Sequence, residues 1–372
     1  MKKIFHLVMI ISNIIVAISL LMSYLCVVIH PITIWWIGLF GLAYMHLLVV
    51  NLFFVVFWIF SNKKKIFVIS MATILIGWPL LGRNIQLFGK KLPENEKQNW
   101  NLKVLSFNVQ GFIQMERIQS NGMYLNLFDF LREKDADIIC MQEFAVYSWN
   151  NKLSKENIHK QFDKTPYYHI ELTADGATGN HYQFGIATFS KYPIIRNKLI
   201  YTNGSANACM YSDLLIGSDT VRVFNIHLQS VGFQHEERSL LHNVIKREYG
   251  KSDVRAIKGI IRQLSLSSFK RAQQVEVLCS HMEQSPYPII ICGDFNDPPT
   301  SFSYQKVRGN RKDAFIEAGS GLSTTYHIGH KAFFRIDCVM YSDDFKSYNY
   351  ESPRVHLSDH FPVMCRLVKR KK

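Results

Sequence analysis

Eight polar residues of catalytic type lie at or just beyond the ends of short apolar segments after residue 101. They comprise four carboxylates, two asparagines and two histidines: Asn108, Glu143, His227, Asp294, Asn296, Asp337, Asp359 and His360. Carboxylate and carboxamide oxygens suit a hard cation such as Mg²⁺, which takes few protein ligands and keeps several waters. A histidine beside a carboxylate suits proton transfer or the binding of an anionic transition state. This combination of side chains favours metal-assisted hydrolysis of a phosphate ester.

The sequence lacks the signatures of several other kinds of site. It contains no Gly-x-Ser-x-Gly elbow and no Gly-rich phosphate loop, so acyl transfer and nucleotide-driven phosphotransfer are poorly supported. No pair of cysteines has the spacing of a zinc site or suggests a disulfide framework. Four of the seven cysteines lie within apolar, strand-like runs and are predicted to be small core residues: Cys140, Cys292, Cys338 and Cys365.

Short apolar strands must position the eight polar side chains. Strands are predicted at residues 102–109, 137–141, 184–190, 220–228, 288–292, 335–341 and 361–368, and a long helix at residues 254–282. Six strand ends each present an asparagine, a histidine or a carboxylate. Because the strands of one sheet end side by side, we expect these groups to gather in one site.

The motifs that contain these residues resemble those of the endonuclease/exonuclease/phosphatase superfamily. The most specific motifs are GDFN at residues 293–296, SDH at 358–360 and RID at 335–337, and the weaker ones are SFNV at 106–109, QE at 142–143 and NIHL at 225–228. The resemblance covers residues 102–368. It implies an α/β (α+β) fold, a four-layer α/β sandwich of two mostly antiparallel sheets flanked by helices, with the site at one end.

The resemblance also implies which residues bind the metal. Glu143 would be the principal ligand, Asn108 would lie beside it, and Asp359 would be a further ligand of the metal or of its water. The metal would be Mg²⁺ or Mn²⁺, and it would stabilise negative charge on a phosphorane-like transition state.

Five more residues acquire catalytic roles by the same resemblance. Asp294 would orient or deprotonate the attacking water, and Asn296 would hold a phosphate oxygen. His360, oriented by Asp337, would bind the phosphate and assist the development of charge. His227 is similar to the second histidine of the deoxyribonuclease and sphingomyelinase branches, where it would serve the leaving group.

The N-terminal part of the chain has the composition of a membrane anchor, because residues 4–62 contain no Lys, Arg, Asp or Glu. Three apolar runs are long enough to predict transmembrane helices: residues 4–29, 34–60 and 66–82. The chain is therefore predicted to divide into four parts: a membrane anchor at 1–83, a polar linker at 84–101, the catalytic domain at 102–368 and a basic tail at 369–372.

Basic residues predict the orientation of the anchor. Lys2 and Lys3 precede the first apolar run, and residues 63–65 are three lysines before the third. The positive-inside rule places both groups in the cytoplasm. We therefore expect a multi-pass protein of a bacterial cell (inner) membrane, with the catalytic domain on the extracytoplasmic side. The lipid bilayer is then a predicted partner, and no protein partner is inferable.

The formal net charge of +14 is unevenly distributed. Seven basic residues and no acidic residue precede residue 91, which leaves 36 basic against 29 acidic residues in the rest of the chain. The rest of the chain therefore has a net charge of +7, and the four basic residues at 369–372 account for four of these charges. The body of the catalytic domain carries only about +3. This balance does not suggest a surface dedicated to duplex DNA.

Three functions stay open at this point. The leading hypothesis is a phosphodiesterase or phosphatase that acts on a lipid headgroup or a small molecule. The alternatives are a metal-dependent nuclease that acts on DNA or RNA, and a catalytically silent binding scaffold. Gln110 stands where abasic-site endonucleases have an aspartate, which argues against abasic-site repair. Residues 230–270 are either a lid over the site or a variable surface excursion, with neither favoured.

Overall fold

The computed structural model describes residues 2–96, 100–118, 124–176, 181–202, 204–232, 253–328 and 331–370. The chain forms two compact units. The helical unit comprises Met1–Leu81, Gln229–Val275 and Asp297–Lys306. The sheet unit comprises Gly82–Leu228, Glu276–Asn296 and Val307–Lys372.

The α-helices among the described residues range from one turn to eight turns in length. They are α1 (Lys2–Leu25), α2 (Ile37–Leu42), α3 (Tyr44–Ile59), α4 (Phe67–Ile76), α5 (Trp78–Leu81), α6 (Leu127–Lys134), α7 (Asp253–Glu283), α8 (Phe302–Arg308) and α9 (Ala314–Ala318). Short 3₁₀ helices cover Lys64–Ile66, Glu94–Glu96, Gln110–Phe112, Asn151–Leu153 and Ile158–Gln161. The predicted long helix at 254–282 is therefore confirmed as α7.

Among the described helices, only α1 is both long enough and apolar enough to cross a bilayer. Its 24 residues extend over about 36 Å, against a hydrocarbon core of about 30 Å. The 16 residues of α3 extend over only about 24 Å. The second and third predicted spans are thus broken into shorter helices, at Ala43 and at Gly77. Apolar composition predicted the extent of these runs, but a glycine followed closely by Pro79 ends α4 before a full span.

Polar side chains join the helices inside the helical unit. Ser70 Oγ donates a hydrogen bond to Asn13 Oδ1 at 2.5 Å, and Asn51 Nδ2 donates to the carbonyl oxygen of Val16 at 3.3 Å. All three polar side chains are buried. Such hydrogen bonds stabilise contacts between apolar helices, where the hydrophobic effect alone gives little specificity.

The strands of the sheet unit form two six-stranded sheets and several short ribbons. Sheet 1 has the order β12 (Lys312–Asp313), β16 (Asp337–Tyr341), β11 (Ile289–Asp294), β10 (Asp219–His227), β9 (Ala208–Ile216), β8 (Ile194–Thr202). Sheet 2 has the order β17 (Phe345–Glu351), β18 (Val363–Lys369), β2 (Asn101–Asn108), β5 (Ile138–Tyr147), β7 (Tyr182–Ser190), β6 (Tyr167–Asp175). The ribbons pair β1 (Ile85–Gln86) with β13 (Gly321–Leu322), β3 (Glu116–Ile118) with β4 (Tyr124–Asn126), and β14 (Tyr326–Ile328) with β15 (Lys331–Phe334).

Both six-stranded sheets are mixed. Each has a single parallel pair, β10–β11 in sheet 1 and β2–β5 in sheet 2, and its other pairs are antiparallel. Two mostly antiparallel sheets flanked by helices agree with the sandwich predicted from the sequence.

The two sheets enclose a shared apolar core that follows the two-residue period of a strand. Alternate residues of five strands are buried there: Leu102 and Val104, Ile138 and Cys140, Val221 and Val223, Ile290 and Cys292, Val339 and Tyr341. A second core forms on the other face of sheet 2, where Phe128 and Leu131 of α6 pack with Leu105, Phe107 and Ile139. All seven cysteines are buried and unpaired. The four that were predicted to be core residues are confirmed as such: Cys140, Cys292, Cys338 and Cys365.

Residues 84–96, which lie within the predicted polar linker at 84–101, contact strands of the sheet unit. Ile85 and Gln86 pair with Leu322 and Gly321, and Leu92 N donates to Asn349 Oδ1 at 2.9 Å. A two-residue strand is too short to produce a periodic pattern in the sequence, and a single side-chain contact produces none. The structure of this segment could therefore be recognised only from its tertiary contacts.

A buried ion pair lies on the outer face of sheet 1. Arg222 on β10 and Asp213 on β9 are direct cross-strand partners, with Arg222 Nε 2.7 Å and Arg222 Nη2 2.8 Å from the two Asp213 oxygens. Both side chains are buried. The guanidinium also lies 3.9 Å from the centroid of the Tyr211 ring. This bidentate geometry satisfies both carboxylate oxygens in a place that water does not reach.

Replacement of Asp213 by alanine is expected to lower the free energy of unfolding by about 3–5 kcal/mol, because it leaves the Arg222 charge buried without a partner. Asp219→Ala is the matched control. Asp219 is half-exposed and pairs with Lys369, and an exposed pair contributes only about 0–1 kcal/mol. Thermal unfolding of the purified full-length protein in detergent measures both changes. Equal changes in the melting temperature of the two variants would contradict the larger contribution that we assign to the buried ion pair.

Candidate active site

The site residues continue the alternation of the inter-sheet core. On β11, Ile290 and Cys292 of that core are followed at the next alternate position by Asp294. The same alternation places three more side chains on this face at the ends of their strands: Asn108, His227 and Asp337. The core between the sheets therefore ends in a polar rim, as the sequence predicted.

Asp294 lies at the centre of this rim. It is the direct neighbour of His227 on β10 and of Asp337 on β16. Its side chain is buried, and its Oδ2 accepts a hydrogen bond from Asn108 Nδ2 at 3.0 Å. Asp294 Oδ2 thus lies where side chains from both sheets meet.

Gly293 permits the close approach of the two strands beside Asp294. A Cβ atom at this position would lie 2.0 Å from the carbonyl oxygen of Ile226. No side chain fits in that space, so β10 and β11 can lie in register at the site only with glycine here.

The turn after β11 is held by Asp294 itself. Asp294 Oδ1 accepts a hydrogen bond from the backbone N–H of Asn296 at 2.8 Å. Asn296 has a left-handed φ of 50°, a conformation that asparagine tolerates better than most residues. Its Nδ2 donates to the carbonyl oxygen of Leu228 at 3.0 Å. The Asn296 amide is therefore fixed beside the end of β10.

Glu143 enters the site because β5 is irregular at that point. The pairing of β5 with β7 shifts between Met141 and Phe144, and Glu143 has a φ of 49°. A bulge of this kind re-aims one side chain without ending the strand. Glu143 Oε1 lies 3.3 Å from Asn108 Nδ2, and about a third of the Glu143 side chain (33%) is exposed.

His360 and Asp337 form a buried pair. His360 Nδ1 lies 2.9 Å from Asp337 Oδ2, and His360 Nε2 lies 3.8 Å from Asp294 Oδ2. The Asp337 N–H donates to Thr325 Oγ1 at 3.1 Å. Burial acts to lower the pKa of His360, but the charges of Asp337 and Asp294 outweigh it and raise that pKa to about 10. The imidazole therefore holds its second proton at neutral pH and presents positive charge to the site.

His227 approaches the same carboxylates from β10. Its Nδ1 lies 3.0 Å from the carbonyl oxygen of Ala206, which can only accept, so Nδ1 carries the proton. His227 Nε2 is left facing the site, 3.7 Å from Asp294 Oδ2 and 3.8 Å from Glu143 Oε1. The backbone contact thus fixes both the tautomer and the ring orientation.

Asp359 completes the rim. Its backbone oxygen accepts a hydrogen bond from the His327 N–H at 2.9 Å, and the preceding Ser358 hydroxyl donates to the carbonyl oxygen of Asn108 at 2.7 Å. The SDH segment is therefore tied to the end of β2. The structure brings all eight residues singled out in the sequence to this one rim.

Two supporting residues were given no role from the sequence, although Asn225 opens the NIHL motif. Asn225 is buried between the sheets, and its Nδ2 donates to the carbonyl oxygens of Met141 at 3.2 Å and Ala187 at 2.8 Å. Its Oδ1 accepts from Gln142 Nε2 at 2.7 Å. These bonds join sheet 1 to sheet 2 directly beneath the site. Asn207 Nδ2 donates to His227 Nε2 at 3.3 Å, and nothing in its local sequence distinguishes it from a turn residue.

The electrostatics of the rim suit a divalent cation. Burial raises the pKa of Asp294, and the charge of Asp337 raises it further. Burial also raises the pKa of Asp359; His360 lowers it, and Glu143 raises it. Carboxylates that destabilise one another in this way are stabilised by a cation among them. Glu143 and Asp359 offer the carboxylate oxygens that Mg²⁺ or Mn²⁺ prefers. Asn108 turns its Nδ2 toward Glu143, and its Oδ1 accepts a hydrogen bond from the Gln110 N–H at 3.1 Å.

A second set of potential ligands overlaps the first. One atom each of Asp294, Asp337 and His360 lies within 4.8 Å of the others. Within this set, His360 Nδ1 and Asp337 Oδ2 are already joined by a hydrogen bond. A protonated imidazole has no free nitrogen lone pair with which to bind a metal. The half-exposed Glu143 side of the rim therefore fits a cation better than the fully buried histidine–aspartate side.

Comparison with known proteins agrees with the fold. Residues 105–360 match the model of the Endonuclease/Exonuclease/phosphatase family, and residues 2–84 match a domain of unknown function, DUF8431. No curated protein matches the chain.

Solved structures of the same architecture are similar to the chain. An endonuclease/exonuclease/phosphatase from Beutenbergia cavernae aligns with a TM-score of 0.51 at 14% identity, over 72% of each chain. A family protein from Bacteroides thetaiotaomicron gives a TM-score of 0.47 at 17% identity, over 74% of this chain and 100% of the other. Truncated TDP2 from Caenorhabditis elegans gives 0.45 at 18%, over 72% and 98%.

The family model extends from within β2 through the SDH segment, and β18 lies beyond it. It thus includes every one of the eight rim residues and more than half of the chain. The chain therefore belongs to the endonuclease/exonuclease/phosphatase family.

Proposed function

We propose that the protein is a membrane-anchored, divalent-metal-dependent phosphoester hydrolase in which water attacks phosphorus. Membership of the family implies hydrolysis of phosphoester bonds, with general dependence on a divalent metal. One observation carries the proposal for this chain: two partly exposed carboxylates, Glu143 and Asp359, lie beside a positively charged histidine. That histidine is His360, which lies between Asp337 and Asp294.

In this proposal Glu143, Asn108 and Asp359 hold Mg²⁺ or Mn²⁺. When bound, the cation supplies a Lewis acid that stabilises negative charge on the phosphoryl oxygens. Asn108 has a second task, because its Nδ2 donates to Asp294 Oδ2 at 3.0 Å. That bond orients the Asp294 carboxylate without neutralising it.

Asp294 is proposed to take a proton from the attacking water. A raised pKa suits this task, because a carboxylate accepts a proton more readily as its pKa approaches the working pH. Its Oδ1 is held by the Asn296 N–H, so Oδ2 is the oxygen directed to the site. The Asn296 amide, fixed beside Leu228, would hold a phosphate oxygen.

The two histidines are proposed to act on different oxygen atoms of the reacting ester. His360, kept protonated by Asp337, would bind a phosphate oxygen and offset the charge that develops there. His227, whose Nδ1–H donates to the carbonyl oxygen of Ala206, would receive on Nε2 the proton that Asp294 takes from the water and deliver it to the leaving oxygen. Asp337 acts through His360 and is a positioning residue.

The proposed anchor is the N-terminal part of the helical unit, up to Leu81. α1 spans the bilayer, and we propose that the shorter apolar helices α3 and α4 also lie within it, which makes the protein multi-pass. The three lysines at residues 63–65 would face the cytoplasm, and the sheet unit would lie on the extracytoplasmic side of a bacterial inner membrane.

The assay of this function uses the full-length protein in detergent, stripped of metal with EDTA and titrated with Mg²⁺ or Mn²⁺. Hydrolysis is expected only with added metal. Glu143→Gln is expected to raise the Mg²⁺ concentration for half-maximal rate by at least about tenfold. Glu156→Gln, a change at an exposed glutamate, is the matched control. Unchanged metal dependence in Glu143→Gln would exclude Glu143 as a ligand.

The choice of substrates separates the alternatives. Bis-p-nitrophenyl phosphate, plasmid DNA and a sphingomyelin-type lipid are compared in the same titration. Preferential cleavage of plasmid DNA would establish the nuclease alternative, and preferential cleavage of the lipid would establish a lipid phosphodiesterase. A folded protein that binds metal but hydrolyses none of the three would support the binding scaffold instead.

A further inference from the structure

An exposed apolar tip projects from the sheet unit just after the last apolar helix. The side chains of Leu87 and Phe88 are 79% and 86% exposed, the highest values for large apolar residues of the sheet unit. They lie seven residues or fewer beyond the end of α5 at Leu81. Exposing two such side chains to water is unfavourable. Burial of the tip in an apolar environment outside the described part of the chain would therefore be favourable.

The backbone on both sides of the tip is firmly held. Ile85 and Gln86 pair with β13, and the Lys90 N–H donates to the carbonyl oxygen of Ala318 at 3.2 Å. The tip is therefore a short, fixed turn of residues 87–89 rather than a loose linker. Leu322 on β13 adds a third exposed apolar side chain, 54% exposed.

The charges that flank the tip favour an anionic partner. Lys90 and Lys91 follow it directly and are exposed. Among the described residues, Glu317 lies 3.9 Å from the Lys90 Nζ. An exposed leucine–phenylalanine pair with adjacent lysines is the pattern of a segment that enters the headgroup region of an anionic bilayer. The tip also follows the proposed membrane anchor by only a few residues, which keeps it near the bilayer. This proximity favours a lipid surface over a soluble protein as the partner.

The tip is also linked to the active site through β13. Two residues separate Leu322 from Thr325, whose Oγ1 accepts hydrogen bonds from the backbone N–H groups of Ile336 and Asp337. Tyr326, the next residue, forms an isolated β-bridge with His360. Whatever binds the tip therefore lies close to the strand that supports the histidine–aspartate pair.

We propose that Leu87 and Phe88, with Lys90 and Lys91, dock the sheet unit on the surface of an anionic lipid bilayer. The inference rests on the proposed membrane anchoring of the chain. It deepens the proposed function, because a catalytic rim held at the bilayer surface takes phosphoesters borne by lipids in that bilayer.

Docking is tested with a fluorophore at the tip of the full-length protein. All seven native cysteines are buried, so Phe88→Cys provides a single accessible thiol for a polarity-sensitive label. The matched control is Ile195→Cys on β8, an apolar residue 53% exposed. β8 lies at the opposite edge of sheet 1 from β12. Both proteins are reconstituted in vesicles of equal parts phosphatidylethanolamine and phosphatidylglycerol.

The label at residue 88 is expected to emit at shorter wavelength than the label at 195, and to be quenched by a lipid that carries a spin label. Lys91→Glu in the Phe88→Cys protein is expected to reduce that quenching, as are vesicles of phosphatidylcholine alone. Water-like emission at residue 88, or equal quenching at 88 and 195, would overturn the proposal.

A parallel assay separates this inference from the proposed function. Phe88→Ser is expected to leave hydrolysis of bis-p-nitrophenyl phosphate unchanged, because residue 88 is no part of the rim. A chain without hydrolytic activity would still give the fluorescence difference if the tip docks. Loss of the fluorescence difference with hydrolysis intact would overturn docking alone.

Discussion

Replacement of Asp294 by asparagine is expected to lower kcat for bis-p-nitrophenyl phosphate by about 10²–10⁴-fold. Asparagine has the same shape and can keep the hydrogen bond from the Asn296 N–H, but it cannot accept the proton of the attacking water. The side chain is buried, so bulk water cannot easily replace the carboxylate. The rate is measured with the full-length protein at saturating Mg²⁺.

Asp175→Asn provides the control for Asp294→Asn, because Asp175 is exposed at the end of β6. It is expected to retain the parent rate. Thermal unfolding of both variants separates a catalytic loss from a loss of folded protein. An Asp294→Asn variant with near-parent kcat and an unchanged melting temperature would exclude Asp294 as the base.

Replacement of His360 by glutamine is expected to lower kcat by about 10²–10⁴-fold, because the positive charge beside the phosphate is lost. Asp337→Asn is expected to lower it less, by about 10–100-fold, since Asp337 acts by orienting and charging His360. The double variant should be no slower than His360→Gln alone. The kcat of all four proteins, measured under one set of conditions, completes the cycle.

Independent effects would contradict the assignment of Asp337 as a positioning residue. If the losses in the two single variants multiply in the double variant, then each residue contacts the reacting groups separately. A binding role of His360 restricted to the ground state would raise KM and leave kcat unchanged. The cycle therefore distinguishes the histidine–aspartate pair from two separate catalytic groups.

Much of the site could be predicted because strand periodicity and motif position coincide. Asp294 follows Ile290 and Cys292 at alternate positions, so the pattern that predicts a buried strand also predicts the face on which the carboxylate lies. The order of the motifs along the chain then indicated the family, which the family model confirms.

What the sequence could not predict depends on contacts between distant segments. Asn225 joins the two sheets through the carbonyl oxygens of Met141 and Ala187, and its place in the NIHL motif did not indicate that role. The bulge that turns Glu143 into the site depends on a shift in pairing with β7. Both features exist only when the strands are assembled.

The predicted membrane anchor illustrates the limit of composition as a guide to length. The apolar runs at residues 34–60 and 66–82 have the length of a span, yet their helices end at Leu42, Ile59, Ile76 and Leu81. Hydropathy averages over a window and does not register the turn conformations that interrupt a helix. The pairing of β1 with β13 was missed for a related reason, because a two-residue strand has no period.

The central claim is that the rim activates water for attack on phosphorus. The most direct measurement is hydrolysis of bis-p-nitrophenyl phosphate by the full-length protein in water enriched in the heavy oxygen isotope, followed by mass spectrometry of both products. The account predicts one heavy oxygen in p-nitrophenyl phosphate and none in p-nitrophenol, with Mg²⁺ present and Asp294 intact. Heavy oxygen in p-nitrophenol, or product formation that is the same with and without metal, would contradict it.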